Sequence, residues 1–225
     1  MPNHPIRKQT PNQSNAMKFL VTAGPTREYL DPVRYLSNRS SGRMGYAIAR
    51  VAHARGHEVV LVSGPVSIEP PNGVVIVDVV SARDMLEAVS SRIADCDVLV
   101  MCAAVADWRP KAFSEIKLKK RGMSPVLELE PNPDILANVL PLKGDRTYIG
   151  FAAETNDVME EARGKLLRKG LDMIVANDVT RSGAGFEVET NIVTLITAEG
   201  GVEALPLMSK AEVAERIVAW VEERR

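Results

Sequence analysis

The chain has 225 residues, 45% apolar and 25% charged, ordinary for a globular protein and enough to bury a core. Its formal net charge of −1 supplies no overall field favouring nucleic acid or a membrane surface, so any basic residue that matters must act locally. Two cysteines and three histidines (His4, His53, His57) show no metal-binding spacing, which weighs against a transition-metal site.

Residues 1–16 are rich in Pro, Asn and Gln, lack the apolar centre of a signal peptide and are expected to be disordered. Met17 reads as a natural start, and 17–225 as a single domain. No stretch reaches the roughly 18 apolar residues of a membrane span. Free thiols at Cys96 and Cys102 point to the cytoplasm.

Residues 18–23 read as a strand, and 43–55 as a helix with Gly56 past its end. Strands are expected at 58–63, 74–80 and 97–103, with a helix from a Ser81–Asp84 cap to about residue 94. Residues 126–130 alternate like a strand. Asn132-Pro133 reads as a cap followed by Pro at the first helical position, so 133–140 is expected to be a short helix. A strand at 147–152 leads to a helix at 156–169, capped by Thr155 or Asn156 and stopped by Gly170. A strand at 171–176, a hairpin at 191–206 around Glu199-Gly200 and a last helix behind the Ser209–Glu212 capping box complete the chain. Near-continuous apolar strands alternating with helices predict a Rossmann-like, doubly wound, mainly parallel α/β sheet with a C-terminal β-hairpin extension.

In such sheets ligands bind beyond the carboxyl ends of the strands. Four loops fall there, at 24–42, 104–120, 152–156 and 177–186. The first holds 17 residues, Pro25 to Ser41, where about 2–6 is usual. It carries Arg27, Arg34, Asn38, Arg39, Ser40 and Ser41 and ends on Gly42 at a helix start, a setting suited to an anion. A surface loop with a Ser cap is the plainer reading. The second loop holds six basic residues between 109 and 121, including Lys117, Lys119 and Lys120, against the single acid Glu115. Such a run is often just a solvated face, but it could also cover a triphosphate. Lys165 and Lys169 share a helix face. Glu161 could pair with Lys165, yet two like charges there also suit a nearby polyanion. There is no G-x-G-x-x-G after the first strand, no phosphate-binding G-x-x-x-x-G-K-[ST] loop and no Tyr-x-x-x-Lys pair.

Residues 22–28 (TAGPTRE), 31–34 (DPVR), Ser37-Asn38, 40–42 (SSG), Met44-Gly45, 103–107 (AAVAD), the Lys117-x-Lys-Lys120 run, 132–135 (NPDI), 150–155 (GFAAET) and 176–179 (ANDV) resemble phosphopantothenate–cysteine ligase, in order across about 17–222. The resemblance implies a stand-alone ligase of coenzyme A biosynthesis. The carboxylate of 4′-phosphopantothenate would attack the α-phosphorus of CTP, with ATP as the other nucleotide used in the family, and release pyrophosphate. The amine of L-cysteine would then displace CMP from the acyl-cytidylate. Mg2+ and a homodimer are implied as well, and the hairpin at 191–206 is the expected dimer contact because its edge is open. An upstream flavin-dependent decarboxylase domain, its activity and FMN are expected to be absent.

By the same resemblance Lys117, supported by Lys119 and Lys120, serves the first half-reaction, and Asn38 holds the acyl-phosphate group. Arg34 anchors substrate or organises its loop, with Ser40, Ser41 and Gly42 at the substrate. Ala103, Ala104, Asp107, Lys117, Pro133, Asp134, Ile135, Leu136, Phe151, Lys165 and Lys169 match nucleotide-binding positions. For Ala103 and Phe151 simple core packing is the alternative. Asn177 and Asp178 are further candidates. Trp108 stands where the resemblance leads one to expect Tyr. Two other classes stay open: a nicotinamide-dependent oxidoreductase on the same layered fold, and a non-catalytic nucleotide-binding relative.

Overall fold

The computed structural model describes residues 15–121, 126–154, 157–178, 185 and 188–225. Of the expected disordered segment 1–16, residues 1–14 lie outside this set.

Strand β1 (Lys18–Ala23) leads into a small hairpin of β2 (Arg27–Tyr29) and β3 (Tyr35–Ser37). Helix α1 (Arg43–Ala54), β4 (Glu58–Ser63), β5 (Val75–Asp78), α2 (Ala82–Ser90) and β6 (Val98–Met101) follow. A second small hairpin joins β7 (Trp108–Pro110) to β8 (Leu129–Pro131), before α3 (Ile135–Val139), β9 (Thr147–Glu154), α4 (Val158–Arg168) and β10 (Met173–Asp178). The chain ends through β11 (Thr190–Asn191), β12 (Val193–Thr197), β13 (Val202–Ala204), β14 (Met208–Ser209) and α5 (Lys210–Glu223).

Eight strands form one sheet in the order β13-β12-β10-β9-β6-β1-β4-β5. Six are parallel, from β5 to β10, and the C-terminal β12–β13 hairpin adds two antiparallel strands. Strand order reverses between β1 and β6, so the loops leaving these two strands diverge and open a crevice.

Alternating side chains of the buried strands feed two cores. Phe19, Val21, Val98, Val100, Ile149, Met173 and Val175 pack with α1 and α5 on one face. Leu20, Leu99, Met101, Tyr148, Ile174 and Ala176 pack with α2, α3 and α4 on the other. Covering both faces is why these strands are apolar along their length.

Both Ser capping boxes form, at Ser81–Asp84 and Ser209–Glu212. The expected cap at Asn132 does not. Asp134 caps α3 instead, accepting from the Ala137 N–H at 3.1 Å, and the helix starts two residues later. Asn132 is committed elsewhere, since its Nδ2 donates to the Ala106 carbonyl at 2.8 Å and its Oδ1 accepts from Arg109 at 3.0 Å. Helix α4 begins behind Asp157, which has a left-handed backbone (φ 45) and makes no side-chain cap. Thr155 and Asn156, the expected caps, lie outside the described residues.

Candidate active site

The 17-residue connection after β1 is not an open loop. Its β2–β3 hairpin is bound to the body by Glu28, whose buried carboxylate accepts from the Ala82 N–H at 2.9 Å, and by Arg27 N donating to the Val80 carbonyl at 2.8 Å. On either side of the hairpin Gly24 (φ 77) and Gly42 (φ 78) take left-handed conformations and lie against each other. Gly42 caps α1 without a side chain, and Ser40 Oγ accepts from the Gly42 N–H at 3.3 Å, so Ser is not the helix cap. One turn later Gly45 lets α1 lie on β1. A Cβ there would sit 2.6 Å from Ala23 Cβ and 2.9 Å from the Thr22 carbonyl oxygen. Gly24, Gly42 and Gly45 thus sit at a turn, a helix start and a close helix–strand contact, the places the glycines of G-x-G-x-x-G take, with a hairpin inserted after the first. That insertion is why the usual spacing is missing.

Two fully buried threonines fix the loop after β6. Thr22 Oγ1 accepts from the N–H groups of Cys102 and Ala103, both at 3.1 Å, and Thr26 Oγ1 accepts from Ala106 N–H at 2.9 Å. Asn38 closes the crevice from the hairpin side. Its Nδ2 donates to the carbonyls of Ala104 at 3.1 Å and Val105 at 3.2 Å.

These elements surround a cavity of about 1320 Å³. Single-ligand pockets run to roughly 1,000 Å³, so there is room for a nucleotide beside a second molecule. Asn38, Ser40 and Gly42 line it from the hairpin and α1, Ala103, Ala104 and Asp107 from the loop after β6, and Pro133, Asp134, Ile135 and Leu136 from the start of α3. Phe151, Lys165 and Lys169 complete the set of expected residues on its wall. Phe151 is at once a wall residue and a partly buried contact of the core.

The paired lysines have protein partners. Lys165 Nζ donates to the Phe151 carbonyl at 2.8 Å, tying α4 to β9, and Lys169 forms an ion pair with Asp134. Burial pushes the Asp134 carboxyl up, but the Lys169 hydrogen bond, the Ala137 N–H and the charges of Lys169 and Lys165 outweigh it and hold it below its ordinary value. A carboxylate depressed on folding stabilises above its ordinary pKa, and that contribution is lost as the pH falls.

Three expected site residues do not line the cavity. Ser41 is half-buried beside it. Arg34 spans Asp31 and the Leu118 carbonyl, the latter at 2.9 Å, so it organises a loop. Lys117 is exposed, and its neighbour Leu118 is the residue held by that pair.

Beyond the residues expected at the substrate and nucleotide, Arg39, Arg43, Asn132, Asn177, Asn191 and Lys210 bring polar side chains to the wall, and of these Asn177 was expected only as a further candidate. Lys210 is buried. Its Nζ donates to the carbonyls of Val188 and Gly185, the latter at 3.3 Å, and burial lowers its pKa. Arg43 pairs with Glu189 at 2.7 Å. A lysine in the first turn of α5 opposes the helix dipole, and this was the available signal that it is held there for another reason. Cys102 also reaches the wall, with burial pushing its thiol up to about 12, far from a reactive thiolate. Asp178 belongs to β10, but most of the loop expected at 177–186 lies outside the described residues.

Among the described residues no three His, Cys, Asp or Glu side chains gather to hold a metal ion, and no helix is long and apolar enough to cross a membrane.

Residues 14–224 match the family described as "DNA/pantothenate metabolism flavoprotein C-terminal domain". The coenzyme A biosynthesis bifunctional protein CoaBC of Vibrio vulnificus (strain CMCP6) is 47% identical over 207 residues, 91% of this chain and 51% of that protein. The protein of the same name from Bacillus subtilis (strain 168) is 47% identical over 200 residues, 88% of this chain and 49% of its own length. A crystal structure of the C-terminal domain of a coenzyme A biosynthesis bifunctional protein CoaBC superposes with a TM-score of 0.81 at 45% identity, covering 95% of this chain and 98% of that one. The chain spans about half the length of these curated relatives. On the extent of these matches, it belongs to the DNA/pantothenate metabolism flavoprotein C-terminal domain family.

Proposed function

We propose that this chain joins 4′-phosphopantothenate to L-cysteine through an acyl-nucleotide, with CTP the nucleotide consumed and the cytoplasm its place of action. The observation carrying this reading is the cavity at the strand-order reversal, where Asn38, the start of α1 and the Ala103–Asp107 loop meet the wall bearing Lys165 and Lys169. Relatives named for coenzyme A biosynthesis support it.

The chemistry asks for no enzyme nucleophile. The substrate carboxylate attacks the α-phosphorus, pyrophosphate leaves, and the cysteine amine then attacks the acyl carbon and expels the nucleoside monophosphate. The protein's task is to align the reactants and neutralise charge. The N–H groups at the start of α1, with no acidic residue in its first turn, favour phosphate oxygens. Asn38, fixed through its Nδ2, presents its amide oxygen beside the reacting acyl group, an acceptor for the incoming cysteine amine. Asp134, Ile135 and Leu136 face the nucleoside from α3. Magnesium suits this site as the counter-ion of the triphosphate, since Mg2+ is commonly held by substrate phosphates, water and only one or two carboxylates. Two exposed carboxylates stand on the cavity wall, Asp107 and Asp134, and Asp134 is already paired with Lys169. Lys117 serves this scheme if its exposed segment closes on bound nucleotide, within one protomer or across a dimer.

Self-association belongs to the proposal. Edge strand β13 is open on one side, but the larger exposed apolar surface lies on the two small hairpins and their links: Val33, Tyr35, Trp108, Phe113, Ile116 and Leu129. These exposed side chains are a second candidate for a homodimer contact beside the β12–β13 hairpin.

Lys117→Gln removes the charge and keeps the length. Pyrophosphate release with phosphopantothenate and CTP is expected to fall about a hundredfold, the effect of deleting one charge-stabilising donor, while the unfolding midpoint stays put. An unchanged rate refutes the role given to Lys117.

A further inference from the structure

The turn of the β2–β3 hairpin and the segment carrying the lysines are held together by one buried carboxylate. The Asp31 side chain is fully buried although it lies in neither apolar core. Its Oδ1 accepts from the N–H groups of Val33 at 2.9 Å and Arg34 at 3.0 Å, closing the turn. Its Oδ2 accepts from Arg34 Nε at 3.0 Å and from the Leu118 N–H at 3.1 Å. Arg34 Nη2 also bonds Asp31, and donates to the Leu118 carbonyl at 2.9 Å. Both backbone groups of Leu118 are therefore satisfied by one side-chain ion pair, as a neighbouring strand would satisfy them. A third tie runs from Ser114 N–H to the Leu30 carbonyl at 3.0 Å. Residues 111–121 have no regular secondary structure, and among the described residues these ties, together with Lys111 N–H to the Glu128 carbonyl at 3.0 Å and Ser114 Oγ to the Ile116 carbonyl at 2.7 Å, hold the segment; those at Leu118 are the ones next to Lys117 and Lys119.

Arg34 holds the Asp31 carboxyl far below the usual carboxylate range against the opposing effect of burial, and the three N–H donors add to it. The carboxylate is charged at neutral pH.

We propose that Asp31 is a positioning residue for the lysine segment: with Arg34 it acts as a surrogate strand partner for Leu118 and fixes where Lys117 stands during nucleotide activation. The catalytic half of this inference rests on the ligase reading. The anchoring half stands on the geometry alone.

Asp31→Asn keeps the shape and loses the charge that holds both Arg34 and Leu118. Hydrogen exchange at the Leu118 amide is expected to rise about tenfold or more through local opening, with cooperative unfolding retained because both apolar cores are untouched. Pyrophosphate release is expected to drop with little change in the KM for nucleotide. The double variant Asp31→Asn/Lys117→Gln should be no slower than Lys117→Gln, because the first residue acts through the second. Leu118→Pro, which removes the donated N–H and also fixes φ there and restricts the backbone of Lys117, should slow the same step. Multiplying losses in the double variant, or Leu118 exchange unchanged in folded Asp31→Asn, overturns the proposal. A wild-type protein that releases no pyrophosphate sinks the ligase reading instead, and leaves the Leu118 exchange to decide whether Asp31 is the anchor.

Discussion

Gly45→Ala is expected to lower stability and nucleotide binding together. The added methyl would stand 2.6 Å from Ala23 Cβ and 3.1 Å from Ala23 Cα, with the Thr22 carbonyl oxygen at 2.9 Å. None of these can swing aside, because they belong to the central strand of the sheet, which is hydrogen-bonded to β4 and β6 on either side. Helix α1 must therefore move away from β1. Overpacking of this kind costs about 1–3 kcal/mol, and about 2–4 °C of Tm per kcal/mol in a chain of this size. The displaced end of the helix is the one that lines the cavity, so the heat protection expected from CTP on the proposed function should shrink as well. A variant that melts like the parent would show that α1 is not pressed on β1.

Asn38→Asp should separate the two half-reactions. The side chain barely changes size, but a carboxylate would face the carbonyl oxygens of Ala104 and Val105 where the Nδ2 now donates. It would also bring negative charge to a wall built for anions. Asn38 is exposed, so the unfolding midpoint should hardly move. Conversion of the activated intermediate by cysteine is expected to fall about a hundredfold, the scale of displacing reacting groups by about an ångström once the loop after β6 loses both bonds to Asn38, with pyrophosphate release less affected. Equal loss in both steps, or in neither, would contradict the role assigned to Asn38.

The layered fold was legible because its signals are local. Continuous apolar runs marked the parallel strands, Ser-x-x-Asp and Ser-x-x-Glu marked the starts of α2 and α5, and Glu199-Gly200 marked the turn between β12 and β13. The hairpins β2–β3 and β7–β8 were not legible as pairs. Their strands are three residues long and are fixed by distant partners, among them the Glu28–Ala82 and Asn132–Ala106 hydrogen bonds. Asn132 had the local chemistry of a cap, but tertiary demand for its amide won, and Asp134 took the role.

Most of the cavity wall was legible through resemblance, from Asn38 to Lys169. The contribution of Lys210 was hidden behind an apparently complete explanation, the capping box it adjoins. Asp31 was visible in its motif but not as an anchor, because its partner Leu118 is 87 residues away. The buried threonines at 22 and 26 were equally silent, since a hydroxyl that accepts from a loop amide leaves no pattern in sequence.

The proposed chemistry of the cavity makes a carboxylate reactive by attaching a nucleotide to it. It is tested most directly with phosphopantothenate carrying ¹⁸O in its carboxylate, incubated with CTP and cysteine. Attack on the α-phosphorus transfers one labelled oxygen to the nucleoside monophosphate when the amine displaces it. The account predicts ¹⁸O in CMP and none in pyrophosphate. Label in orthophosphate with release of the nucleoside diphosphate, or amide formation with no label in CMP, would contradict it.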